Sequence, residues 1–89
     1  MELDPIIYQG QPCLSFKQLD RRAGVVKGTA FRAFKRLREE LVEGRCFFYL
    51  DAEQEHEFIE ALRAQGLIYP ATRHLVLLTE PAWRRLGEL

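Results

Sequence analysis

The chain has 89 residues, 47% hydrophobic and 29% charged, with 13 Lys and Arg balancing 13 Asp and Glu. That length supports one domain spanning residues 1–89 with a modest core, and the apolar fraction argues against a disordered chain. No apolar run approaches the roughly 20 residues of a membrane span, and the opening MELDP lacks the basic start of a signal peptide, so a cytoplasmic protein without a membrane partner is expected.

The zero net charge hides a segregation. Residues 15–45 carry nine Lys or Arg against four acids, a balance of +5, whereas residues 51–60 carry five acids and no Lys or Arg. A cationic side and an anionic side are the expected consequence. Cys13 and Cys46 read as reduced, partly buried thiols. His56 and His74 lie far from each other and from any cysteine pair at zinc spacing, so no metal and no cofactor is expected.

In chain order, residues 1–5 read as a loose lead. Residues 6–8 and 13–14 read as short strands about a turn at Gly10, forming a hairpin beside the helices, with Pro12 pointing to an edge strand. Ser15 with Gln18 fits a capping box for a first helix, in which Phe16, Leu19 and Ala23 recur at helical spacing. Gly24 suits the left-handed stop, and Val25 is expected beneath the turn.

A second helix is predicted from Thr29, as N-cap, to Leu41. Ala30, Ala33, Phe34, Leu37 and Leu41 share one face; Thr29, Arg32, Lys35, Arg36 and Glu39 share the other. The bases of this helix precede its acids, Glu39 and Glu40, which opposes the macrodipole and suggests that its N-terminal half meets phosphates. Residues 16–41 thus predict a helix-turn-helix with a cationic second helix.

Residues 45–50 predict an aromatic-rich strand. Asp51 is expected to cap a helix over 52–65, with Phe58, Ile59 and Leu62 inward and Glu53, Glu57 and Glu60 in water. So acidic a helix should point away from any bound DNA. Residues 67–69 suggest an extended piece and 70–73 a turn. A strand over 74–78 is expected to pair antiparallel with 46–50, the acidic helix being their connection. The loop of Arg73, or the neighbourhood of Arg45, is a candidate wing. Thr79 is expected to cap a last helix with Pro81 in its first turn, bringing Trp83, Leu86 and Leu89 to one side as core filler or a dimer seam.

The predicted fold is therefore α+β and winged-helix-like: an N-terminal β-hairpin, a helix-turn-helix, a small antiparallel sheet with a connecting acidic helix, and a C-terminal helix. Glycine-rich phosphate loops, nucleophile elbows and zinc spacings are missing from the sequence, so no catalytic residue is nominated and an enzyme is not expected.

Three phrases resemble a known family: YQGQPCLSFKQLDRRAGV, then LREELVEGRCFFYLDAEQ after the basic helix, then HLVLLTEPAWRRL. They are similar to the N-terminal DNA-binding modules of phage antirepressor-type proteins, the KilA-N/Bro-N superfamily and its ORF-six N-terminal branch. The Glu43-Gly44-x-x-Phe47-Phe48 phrase is the most specific part. Two features depart from that pattern: the second helix has Phe31, Arg32, Phe34 and Lys35 where family members are often rich in Asn, and the separate C-terminal domain that family modules usually precede is not expected here.

The resemblance implies an α+β DNA-binding fold of phage or prophage type. With the charge pattern, it makes a small transcriptional regulator of double-stranded DNA the expected function. Thr29, Arg32, Lys35 and Arg36 are expected to meet the groove, and Lys17, Arg21, Arg22 and Lys27 the backbone, with a homodimer or a larger assembly on DNA. The alternative is a phage-encoded inhibitor or antirepressor that binds a host or phage protein through the acidic helix and Phe31.

Overall fold

The chain reverses first at Gln9-Gly10, where positive φ values of 50° and 76° give the two-residue turn that matches strand twist. This turn joins β1 (Ile6–Tyr8) to β2 (Gln11–Leu14). The computed structural model describes residues 5–87, which places most of the loose lead and the expected position of Leu89 outside the described residues. After β2 come α1 (Phe16–Ala23), α2 (Thr29–Leu37), a 3-10 turn (Arg38–Glu40), β3 (Phe47–Leu50), α3 (His56–Ala64), β4 (Leu75–Thr79) and α4 (Glu80–Gly87). The fold is α+β, with four helices and a small antiparallel sheet.

The sheet has four strands in the order β1-β2-β4-β3. The hairpin is therefore part of the sheet rather than a separate unit beside the helices. Nor is β2 an edge strand, as Pro12 had suggested. Pro12 pairs with Ile7 of β1, but β4 engages β2 only at Cys13 and Leu14, so the missing N–H falls where no ladder bond is required. β3 and β4 pair as expected, from Phe47 opposite Leu78 to Leu50 opposite Leu75.

Strand alternation splits the core in two. Ile6, Cys13, Phe48, Leu50, Leu75 and Leu77 point to one face, where Ile59 and Leu62 of α3 and the following Ile68 cover them. Phe47 and Leu78 point to the other, beneath Ala33, Phe34 and Leu37 of α2, Leu41, and Ala82 and Leu86 of α4. Trp83 packs half-buried at the rim of this second cluster. α3 and the α1–α2 pair thus lie on opposite faces of the sheet. Both cysteines are free thiols; Cys13 is fully buried, and burial pushes its pKa up to about 11.

Several ends differ from expectation. β3 begins at Phe47, because residues 44–46 turn, with Gly44 N–H bonding the Phe47 carbonyl at 2.7 Å. α3 begins at His56, because Asp51 caps a separate turn before it. Its Oδ2 accepts from Glu53 N–H at 3.0 Å and Gln54 N–H at 3.1 Å, and these two bonds hold its carboxyl below the usual range. Residues 67–69 form no strand. Thr79 ends β4 instead of capping α4: its hydroxyl lies 2.8 Å from the Arg45 carbonyl and 2.9 Å from that of Cys46. Pro81 does fall in the first turn of α4.

The capping box of α1 forms as predicted. Ser15 Oγ accepts from Gln18 N–H at 3.2 Å, and Gln18 Oε1 accepts from Ser15 N–H at 2.9 Å. The same hydroxyl donates to the Leu67 carbonyl at 2.5 Å, fastening the segment after α3 to the start of α1. Ser15→Ala should cost about 1–3 kcal/mol, by loss of a cap and abandonment of a carbonyl partner, measured by chemical denaturation.

Candidate nucleic-acid interface

α1 closes on Gly24, whose φ of 67° lets its N–H reach the Arg21 carbonyl at 3.2 Å and Val25 N–H the Asp20 carbonyl at 3.0 Å. Five residues then lead into α2. Val25 is 42% exposed, so it does not pack under the turn as expected, and Ala23, the last of the helical repeat, is also exposed. Thr29 is the first residue of α2, not its cap, and its hydroxyl donates back to the Val26 carbonyl at 2.8 Å. Gly28 stands at the cap position with φ 94° and no side chain to offer.

The capping carboxylate comes from α1. Asp20 is only 2% exposed; its Oδ2 accepts from Gly28 N–H at 2.9 Å and its Oδ1 from Ala30 N–H at 2.8 Å. A third bond arrives from the Tyr69 hydroxyl at 2.5 Å. A buried carboxylate is tolerable when donors surround it, and one at a helix N-terminus gains from the dipole as well. Burial, followed by the bond to Asp20 and its charge, pushes the Tyr69 phenol up to about 12.

Neither Asp20 nor Tyr69 was nominated from the sequence. Asp20 sits among bases in an exposed-looking stretch, and its partners lie 8, 10 and 49 residues away. One usable signal existed: the segment Gly28-Thr29-Ala30 opens a helix with no acid in its first turn.

α2 presents its faces as the spacing predicts. Ala30, Ala33, Phe34 and Leu37 are buried, while Arg32, Lys35 and Arg36 are exposed. The helix stops at Leu37, however, and Glu39 lies in the 3-10 turn, whose Glu40 pairs with Arg85 of α4 at 2.8 Å. Lys35 and Arg36 therefore occupy the last turn of α2, where the dipole favours them. Charge opposed to the macrodipole is no reason to invoke phosphates.

The nominated residues fall into four neighbourhoods. Arg22, Thr29 and Arg36 line one groove, and Arg32 folds back to donate to Thr29 Oγ1 at 3.3 Å. Lys17 approaches Gly66, its Nζ 4.0 Å from where a Cβ would stand. Lys27 lies 4.9 Å from the Tyr69 ring centre, and the charge of Arg21 acts on the same phenol. Lys35 sits apart, 5.4 Å from the ring centre of Phe31, which is 45% exposed and packs edge-on against Phe16.

Among the described residues, none of these seven Lys and Arg forms an ion pair with a carboxylate. The wing candidates lie at opposite ends of the β3–β4 pair, Arg45 before Phe47 and Arg73 before Leu75, and both are exposed.

No family model, curated protein or solved structure matches this chain.

Asp20→Ala strands two backbone N–H groups and a phenol, so unfolding free energy should fall by about 2–4 kcal/mol, and Tyr69→Phe should cost about 1–2 kcal/mol. Because the folded-state pKa of Tyr69 stands above its ordinary 10.0, the phenol's contribution is intact below pH 10 and lost as pH rises toward about 12. Denaturation curves should show wild type losing more stability across that window than Tyr69→Phe. Equal losses would mean that the phenol bond contributes nothing.

Proposed function

We propose that this protein is a small DNA-binding regulator of the phage or prophage type, winged-helix-like in its use of the fold, with α2 as the groove-facing helix. One observation carries the reading. Among the described residues, seven Lys and Arg on α1, α2 and the turn between them lack a carboxylate partner, while the acidic helix is held across the sheet. Unmatched cations attract a polyanion, and release of its condensed counterions drives binding. Nine helical residues span roughly 13 Å, and the major groove is about 12 Å wide.

Within this reading Arg32, next to the start of α2, is the base-reading residue, its guanidinium fork suiting the guanine edge. Thr29, Lys35 and Arg36 meet the groove and flanking phosphates; Lys17, Arg21, Arg22 and Lys27 track the backbone. The loop of Arg73 is the proposed wing, since it continues from Tyr69, which bonds Asp20 at the start of α2. The likeness to KilA-N/Bro-N modules belongs to the same proposal.

Gel-shift titration with random and selected duplexes at two salt concentrations tests this. Retardation that weakens steeply with salt is expected. Arg32→Ala should reduce discrimination between cognate and scrambled duplex by about 1–3 kcal/mol, whereas Lys17→Ala or Arg22→Ala should weaken all sequences alike and flatten the logarithmic salt slope by about 1. Lack of retardation even at low salt would discard DNA as the partner and leave the protein-binding alternative.

A further inference from the structure

Between α1, α2 and α4 runs a groove of about 800 Å³, within the roughly 300–1,000 Å³ of ligand sites. Small side chains, Ala23, Ala30 and Ala33, leave depth between the helices, and Trp83 forms part of the wall. Arg22 and Arg36 line it, exposed and, among the described residues, without a carboxylate partner. The two acids that also line it are already engaged: Asp20 by the start of α2 and Tyr69, Glu80 by Arg84 at 2.6 Å. The groove therefore combines apolar walls with two unmatched positive charges.

We propose that it receives an acidic amphipathic helical segment of a partner protein. Large apolar side chains at i, i+3 and i+4 would occupy the space over the alanines, and carboxylates on the flanks would meet Arg22 and Arg36 in charge-assisted bonds. A nucleic-acid backbone matches the arginines but offers nothing to the apolar walls. A second copy fits no better, because the apolar stripe of its acidic helix α3, Ile59 and Leu62, is buried in its own core. The partner is thus a different protein, and the groove shares Arg22, Thr29 and Arg36 with the surface proposed for DNA.

The test pans a display library of random peptides of about sixteen residues, roughly four helical turns, against the whole chain. The enriched peptide is then titrated with Trp83, the single tryptophan, as emission reporter. Acidic sequences with large apolar residues at helical spacing should be enriched and shift the emission saturably. Affinity should fall by roughly tenfold or more in Ala23→Phe, which fills the groove from an exposed position, and likewise in Arg22→Glu with Arg36→Glu. Failure to enrich any peptide, enrichment without acidic bias, or binding unaffected by both variants would overturn the proposal.

Discussion

The carboxylate of Asp20 is the constraint on which the geometry of the cationic surface depends. It joins three segments: the end of α1, the start of α2 and the stretch leading to Tyr69. α2 is short, has a glycine at its cap position and no acid in its first turn, so alone it would be a marginal helix. Capping from α1 fixes both where α2 starts and which way it turns. With Ala33, Phe34 and Leu37 held in the core, Arg32, Lys35 and Arg36 are left exposed.

The sheet then works as a partition. Its alternating strands need cover on both faces, and the two covers carry opposite charge. In a body whose principal extents are 32, 27 and 23 Å, groups on opposite faces are separated by more than the roughly 8 Å screening length at physiological ionic strength. Self-neutralisation across the sheet is therefore weak, although the chain as a whole has no net charge. Where acids and bases do share a face they pair locally, as Glu40 does with Arg85 and Glu80 with Arg84, which removes those arginines from the unmatched set.

Periodicity was readable from the residues because it is local. The buried face of α2, the β3–β4 pairing and the stripe of α3 all follow from spacings of 3.6 or 2. The Ser15–Gln18 box was readable for the same reason, since both partners lie within one turn. Ends were misread wherever a distant group displaced the local one. Thr29 resembles an N-cap, but Asp20 takes that work, and Thr79 resembles another, yet its hydroxyl serves carbonyls of residues 45 and 46. The stop of α2 at Leu37 lets Leu41, extended with φ −103° and ψ 138°, drop into the core beside Phe47, a tertiary preference that helical spacing does not encode. Pro12 was judged by what a proline lacks, and the length of the strand beside it decided the matter.

Because α2 turns by about 100° per residue, its exposed positions do not all look the same way. Lys35 lies by Phe31 on one flank, Arg32 reaches over the start, and Thr29 and Arg36 look into the groove shared with α4. If duplex DNA and an acidic helix both use this surface, they compete for Arg22, Thr29 and Arg36, and each weakens the other by the same factor, as linkage requires. Such competition needs no conformational change, because the overlap lies in the same side chains of α1 and α2. It also gives the zero net charge a consequence: weak long-range attraction leaves the choice of partner to these few side chains at short range.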